Sequence, residues 1–180
     1  MSEPTFAPAR RTPILPAGGA GLLRVLLPAD RLVLRLRGFS GVAGGFDLSG
    51  PLNSVRGTPE RFAARLGPDE WLLVCPPGDG AMAQAALAAD LAGHFHALVD
   101  VSHRNVALAV SGPHAAEILN AGIALDLTDA AFPAGSATRT LLGKAEVVLV
   151  RAGTDYRVEC WRSFAPYVHA FLGDAAQAFD

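Results

Sequence analysis

Three histidines near the middle of the sequence carry the side chains most suited to metal chemistry. His94 and His96 are two residues apart and would share one face of a strand, and His103 follows them. Imidazole is a common metal ligand, but no cysteine lies at ligand spacing, and Asp100 falls four residues beyond His96. Histidines at a strand edge are more often polar surface residues, so we predict no metal site.

The two cysteines, Cys75 and Cys160, each lie in an apolar run typical of a buried strand. A buried cysteine behaves as a small hydrophobic residue, so a catalytic thiol is the less favoured interpretation. A small hydrolase or metal enzyme that uses Cys160 or the histidines is the weakest of three functional hypotheses. The sequence shows no secretion signal, and we expect a protein of the bacterial cytoplasm.

Other known catalytic and nucleotide-binding motifs are absent, because each lacks at least one required residue. No G-x-S-x-G nucleophile elbow occurs. Gly143-Lys144 is followed by Ala145, where a phosphate-binding loop needs serine or threonine, and Gly19-x-Gly21 lacks both a preceding strand and a third glycine. We therefore predict no catalytic, cofactor-binding or metal-binding residue in this chain.

The composition excludes several classes of protein. The chain has 180 residues, of which 51% are hydrophobic and 18% charged, with a formal net charge of -2. A basic nucleic-acid binder and a disordered chain are both excluded by these values. The sequence contains no run of 18 apolar residues, so we predict no membrane-spanning segment. With so few charges, we expect partner chains to cover part of the surface, or the chain to self-associate when it is alone.

The pattern of elements predicts an α+β fold in which antiparallel sheets carry packed helices, with split β-α-β (ferredoxin-like) units. Residues 1–21 are rich in proline and glycine and are predicted to form an extended arm. Residues 22–180 are predicted to form one compact unit of two interlocked halves, about 22–95 and 96–180. Helices are predicted from a cap at Asp79, from Pro113 and from a cap at Ser163, and a helical turn from Thr58.

The strand predicted at 31–37 alternates almost strictly between leucine and arginine. Leu32, Leu34 and Leu36 would point to the core. The opposite face would then be wet or covered by a partner, and its side chains are candidate interface residues: Arg31, Arg35 and Arg37.

The segment Val99–Ala115 resembles a signature of the glycine-cleavage T-protein (aminomethyltransferase) family, in which D-x-S-H precedes an apolar strand and S-G-P-x-A. Its motif residues are Asp100, Ser102, His103, Arg104, Ser111, Gly112 and Pro113. The serine and aspartate can bond backbone N–H groups where the chain turns between strands, and Gly112 allows a tight exit. We therefore interpret these residues as architecture.

Further motifs over residues 67–172 are similar to one branch, the gamma subunit family of heterotetrameric sarcosine oxidase. They are Gly67–Leu73, Leu125–Leu127, Phe132–Gly135, Thr138–Thr140 with Arg139, and Trp161–Ala165 with Arg162 and Ser163. The resemblance implies a T-protein-like folate-binding-domain fold.

The resemblance also implies a place in a complex with alpha, beta and delta subunits. Such a complex oxidises sarcosine with oxygen and water to glycine, hydrogen peroxide and formaldehyde, or to 5,10-methylenetetrahydrofolate when tetrahydrofolate is present. FAD, FMN, NAD and tetrahydrofolate are expected in the alpha and beta chains and no cofactor in this one, which would be a non-catalytic structural subunit.

Two departures from the T-protein pattern bear on catalysis. The stretch Ser136–Thr140, comparable to a segment that carries an acidic residue in those enzymes, contains no carboxylate. The chain also has about half the length of a complete aminomethyltransferase. The alternative hypothesis is a stand-alone T-protein-like folate-binding module, and titration with tetrahydrofolate would discriminate between the two.

Overall fold

The computed structural model describes residues 21–179, so the predicted arm lies outside the described residues apart from Gly21. The strands are β1 Leu23–Val25, β2 Asp30–Leu36, β3 Val42–Ala43, β4 Phe46–Asp47, β5 Ser54–Gly57, β6 Phe62–Gly67, β7 Glu70–Cys75, β8 His96–Asp100, β9 Asn105–Val110, β10 Ala137–Leu142, β11 Ala145–Ala152 and β12 Asp155–Trp161. The helices are α1 Gly80–Asp90, α2 Ala115–Asn120 and α3 Ala165–Ala176, followed by a 3-10 turn at Gln177–Phe179. None of the helices in this part of the chain is long and apolar enough to cross a membrane.

Two five-stranded sheets account for most of the strands. The first sheet has the order β5-β6-β7-β2-β8 and the second has the order β1-β9-β12-β11-β10, and all pairings within both are antiparallel in the described part. In the first sheet, β7 and β8 are joined by α1 and separated by β2, which is a split β-α-β unit. The predicted α+β class is therefore confirmed.

The two sheets exchange strands: each contains one strand from the half of the sequence that supplies most of the other sheet. The early strand β1 pairs with β9 in the second sheet, and the later strand β8 pairs with β2 in the first. The sheets are also joined at their far edges, where Ser54 and Ser136 form a bridge and Val55 N–H donates to the Gly135 carbonyl at 2.7 Å. The sheets consequently do not divide at residue 95, because the strand that begins at His96 completes the first one.

The sheets pack face to face and the helices cover their outer faces. Ala64, Leu72 and Val74 of the first sheet contact Ala137 and Val148 of the second in one buried cluster. This makes four layers, in the order helix, sheet, sheet, helix. Where the two sheets overlap, each is therefore covered on both faces, and polar side chains there, such as Arg31 of β2, are removed from water.

The outer cores follow the predicted patterns. Leu34 and Leu36 of β2 pack with Leu87 of α1, and Val158 of β12 packs with Val168 of α3, all nearly inaccessible to solvent. The leucine parity of β2 is thus confirmed. Burying a leucine or valine side chain in this way is worth about 1.5–3 kcal/mol.

The helix start predicted at Asp79 is confirmed in position but not in its capping bond, and the start predicted at Ser163 is wrong by one residue. Asp79 occupies the N-cap position of α1, but its carboxylate pairs with Arg61 at 2.9 Å and makes no capping bond. Asp30 replaces it, accepting the N–H groups of Gly78 and Gly80 at 2.8 and 2.9 Å. The helix α3 begins at Ala165, so Phe164 occupies its N-cap position instead of Ser163.

The helical turn predicted at Thr58 does not form. Thr58 N–H donates to the Arg61 carbonyl at 2.8 Å, and Arg61 N–H donates to the Thr58 hydroxyl oxygen at 3.2 Å. These reciprocal bonds close a turn between β5 and β6, a strand that the sequence analysis missed. The strand β6 lacks a recognisable alternation of apolar and polar residues. Its consecutive residues Ala63 and Ala64 are both buried, one on each face of the sheet, and alanine is only weakly hydrophobic.

Candidate functional site

The motif residues after β8 form a tight turn that is bonded to β2. Ser102 N–H donates to Asp100 Oδ1 at 2.8 Å, and Arg104 N–H donates to the Val101 carbonyl at 2.9 Å. Arg31 N–H donates to Ser102 Oγ at 2.9 Å, and Val101 N–H donates to the Arg31 carbonyl at 2.9 Å. The serine and aspartate therefore bond backbone amides, in agreement with their predicted structural role.

Arg31 is not an interface residue in this fold, which corrects the prediction from the strand pattern. Its side chain is 2% exposed, and its Nε lies 2.6 Å from Oε2 of Glu159 on β12. Nη1 also donates to the Ala29 carbonyl at 2.8 Å. The arginine does lie on the face opposite the leucines, but the second sheet covers that face at this end of β2.

Arg157 completes a buried cluster around the same carboxylate. Its Nε and Nη2 lie 2.8 and 2.7 Å from Oε1 of Glu159, whose side chain is fully buried. The Arg157 guanidinium also lies over the ring of Phe62, 5.4 Å from the ring centre, which is within the limit of about 6 Å for a cation–π interaction. Two arginines therefore share one carboxylate between the sheets, and the Arg31–Glu159–Arg157 cluster ties the sheets together.

The other two candidate interface arginines are exposed but have partners within the chain. Arg35 and Arg37 both contact Asp69, at 3.0 and 3.1 Å, and hydrogen bonding, led by that from Arg37, lowers the pKa of Asp69. Arg35 also lies 3.0 Å from Glu70. Since exposed ion pairs contribute little to stability, these arginines stay available for an interface, and their role there remains a prediction.

Arg139, another motif residue, connects the two sheets at the surface. Its guanidinium hydrogen bonds to Glu70 and lies 3.8 Å from Glu146. The hydrogen bond with Glu70 is the main reason that the pKa of Arg139 is raised. Arg139 therefore neutralises a mostly buried carboxylate within this chain.

The S-G-P motif makes a sharp exit from β9. Ser111 N–H donates to the Leu22 carbonyl at 2.8 Å. Gly112 has φ +97°, a backbone angle that favours glycine, whereas an added Cβ would meet only the end of the flexible Leu22 side chain, at 2.8 Å from Cδ2. The helix α2 begins at Ala115, two residues after Pro113, which lies in the turn instead of at the first helical position as predicted.

The second motif turn lies beside the first. Trp161 ends β12 directly opposite Asn105, and Arg162 N–H donates to the Arg104 carbonyl at 2.7 Å. Ser163 is exposed in the turn that leads to α3. The motif residues from the two parts of the sequence therefore meet at one end of the second sheet.

A cleft of about 720 Å³ opens between the sheets, close to the buried cluster. Its lining includes Cys75, Tyr156 and Arg157. Burial raises the pKa values of the Cys75 thiol and the Tyr156 hydroxyl, and the hydroxyl donates to the Leu127 carbonyl at 3.1 Å. Both groups are held in their neutral forms, which does not suit a nucleophile or a general base at neutral pH.

The histidines and cysteines do not assemble into a metal or catalytic site. Within residues 21–179, no group of three or more histidine, cysteine, aspartate or glutamate side chains is placed to hold a metal ion. The ring of His94 packs edge-on against Phe39, with centroids 5.2 Å apart, and His103 is exposed in the motif turn. Cys75 and Cys160 are unbonded thiols in separate cores.

We expect both thiols to resist alkylation in the folded protein. Burial, reinforced by the charge of Glu159, raises the pKa of Cys160 from 9.0 to about 12. A thiol reagent at about pH 8 should therefore label neither Cys75 nor Cys160 until the chain is unfolded, when both should react. Rapid labelling of one thiol in the native chain, measured by mass spectrometry, would contradict this.

The comparisons with known proteins agree with the motif resemblance. The family model described as "Sarcosine oxidase, gamma subunit family" matches residues 42–178. The sarcosine oxidase subunit gamma of Arthrobacter sp is 33% identical over 142 residues, which cover 75% of this chain and 69% of that protein. The chain belongs to the sarcosine oxidase gamma subunit family.

Solved structures extend the relationship of this gamma subunit family member to the fold. A chain of the heterotetrameric sarcosine oxidase from Corynebacterium sp. U-96, in complex with pyrrole 2-carboxylate, superposes with a TM-score of 0.75 and 28% identity, over 87% of this chain and 84% of that one. The glycine cleavage system aminomethyltransferase T of Bartonella henselae gives a TM-score of 0.64 at 15% identity, over 83% of this chain and 44% of that one. The second likeness shows the T-protein-like fold alone.

Sequence reasoning missed that Arg157 and Glu159 form a buried cluster with Arg31. Strand alternation places Arg157 and Glu159 on the face of β12 opposite Tyr156 and Cys160, and the structure agrees. A usable signal was present, because an arginine and a glutamate two residues apart interrupt the otherwise apolar stretch that follows Asp155. In a gamma subunit whose sheets are covered on both faces, such a pair is typical of a buried ion pair.

Proposed function

We propose that this chain is a non-catalytic, structural subunit of a heterotetrameric sarcosine oxidase, in which it packs against the larger chains. Membership of the gamma subunit family supports the assembly. The use of the polar motif groups supports the structural role: Asp100 and Ser102 bond backbone amides, and Arg139 pairs with Glu70. These groups have their partners within the chain and need no substrate to satisfy them.

The assembly that we propose would contain alpha, beta and delta subunits and would act in the cytoplasm. It would oxidise sarcosine with oxygen and water to glycine and hydrogen peroxide. The released carbon would appear as formaldehyde, or as 5,10-methylenetetrahydrofolate when tetrahydrofolate is bound. We assign FAD, FMN, NAD and tetrahydrofolate to the alpha and beta chains.

Tetrahydrofolate does not fit the cleft in the described part of this chain. A pterin ring is polar and needs donors and acceptors that are free to bind it. In the wall of the cleft, Arg151 donates to the Phe132 carbonyl and pairs with Asp129, while Arg157 pairs with Glu159. The stretch that includes Arg139 supplies no carboxylate for chemistry at a folate nitrogen. We therefore do not propose a folate site in this chain.

A tagged full-length chain, expressed in the host with its natural neighbours, tests the proposal. It should co-elute in equal amounts with flavin-containing chains and with sarcosine oxidase activity, whereas the chain purified alone should have neither flavin nor activity. Calorimetric titration of the lone chain with tetrahydrofolate should show no heat of binding. Elution without partners, or stoichiometric folate binding, would overturn the structural-subunit proposal.

A further inference from the structure

Two turns that are far apart in the sequence form one surface, which we name the motif-end surface. It consists of the turn after β8 and the turn after β12, with the residues His103, Arg104, Trp161, Arg162 and Phe164. The Arg162-to-Arg104 backbone bond of 2.7 Å and the pairing of Trp161 with Asn105 hold the turns side by side. The surface is therefore attached directly to the central strands β9 and β12.

Large apolar side chains are exposed on this surface. Trp161 is 43% exposed and Phe164 is 38% exposed. The Arg104 guanidinium lies 5.8 Å from the centre of the Trp161 ring. Leu27 follows Leu26, which bonds to Ala107 of β9, and is 85% exposed at the same end of the second sheet. Tryptophan and arginine are the residues most enriched among those that dominate binding energy at protein interfaces.

The charges of the surface are not neutralised within the described residues. Arg104 bonds only to the neutral amide oxygen of Asn105, at 3.1 Å, and to the indole face. Arg162 has no carboxylate within ion-pair distance in this part of the chain, whereas Arg35, Arg37 and Arg139 each have one. Two cations beside exposed aromatic rings favour a partner that supplies carboxylates.

We propose that the motif-end surface binds an acidic segment of another subunit of the oxidase, whose carboxylates pair with Arg104 and Arg162 and whose apolar side chains pack on Trp161 and Phe164. This inference rests on the proposed function and adds the contact surface to it. A second copy of this chain is a poorer occupant, because a symmetric contact would bring the two pairs of arginines together.

Charge reversal tests the contact in the co-expressed complex of full-length chains. Arg104→Glu with Arg162→Glu should weaken incorporation of the tagged chain about 30-fold or more, the loss typical of a central interface residue. Arg56→Glu is the matched control, because Arg56 is an exposed arginine on β5, four strands away from β8 in the first sheet. It should assemble like the wild type.

Trp161→Ser and Arg162→Glu as single variants keep the test independent of folding. The Arg162 guanidinium has no bonding partner in the described part of the chain, so its reversal should leave the circular dichroism and thermal midpoint of the lone chain unchanged. Incorporation that equals that of the wild type for both single variants and the double variant would overturn the inference. Variants that abolish a homodimer of the lone chain but leave the complex intact would also overturn it.

The two proposals fail in different ways. If the wild-type chain does not co-elute with partner chains, the proposed function fails. If the wild type assembles and the Arg104 and Arg162 variants assemble equally well, only the assigned surface fails. Oxidative footprinting gives a second readout, since Trp161 should be modified in the lone chain and protected in the complex.

Discussion

Replacing Glu159 with alanine should lower the free energy of unfolding by about 3–5 kcal/mol, which is enough to unfold many domains of this size. The change leaves Arg31 and Arg157 facing each other between the sheets without the carboxylate that both contact at 2.6–2.8 Å. The loss of stability arises because two guanidinium groups remain buried without a carboxylate to pair with. Chemical denaturation of the lone chain, followed by circular dichroism, measures the loss.

Two further variants separate the loss of the ion pairs from a general effect of mutation. Asp155→Ala, on the same strand, removes an exposed carboxylate and should change the free energy of unfolding by no more than about 0.5 kcal/mol. A triple variant with Arg31→Met, Arg157→Leu and Glu159→Leu should recover most of the stability, because apolar residues remove the need for pairing. A Glu159→Ala chain as stable as the Asp155→Ala chain would contradict the buried cluster.

Replacing Gly57 with alanine should cost roughly 3 kcal/mol of stability, from a disfavoured backbone angle and a clash with the neighbouring strand. Gly57 has φ +124°, and a Cβ there would lie 2.3 Å from the Arg61 carbonyl oxygen and 2.8 Å from Phe62 Cα. Both contacts are to the backbone, so no side-chain rotation relieves them. The thermal midpoint should fall by several degrees, as measured by calorimetry.

Gly153 provides the matched control for Gly57. It also has a positive φ, +67°, but no atom lies within 4 Å of the position of an added Cβ. Gly153→Ala should therefore cost only the conformational term, about 1 kcal/mol. Equal losses for the two variants would show that the close approach of β5 and β6 is not tight.

The local patterns of the sequence were sufficient for the elements with strong periodicity. The alternation of leucine in β2 occurs as predicted. The apolar run Asn105–Val110 also forms a strand, and the segments on either side of Gly143 pair as a hairpin. Alternating and β-branched residues express their preference through contacts with adjacent strands, so few competing arrangements satisfy them. The motif order was similarly sufficient for the family, which the comparisons confirm.

Only the tertiary structure decided which polar positions are buried. Strand parity places Arg31 opposite the leucines correctly, but parity does not state whether water or a second sheet covers that face. Arg35, two strand repeats further along the same face, stays half exposed because the second sheet no longer covers it. Sequence determines the side to which a residue points, because side-chain direction is a local property of the backbone. What it meets there depends on chain segments more than a hundred residues away, as the pairing of Arg31 with Glu159 illustrates.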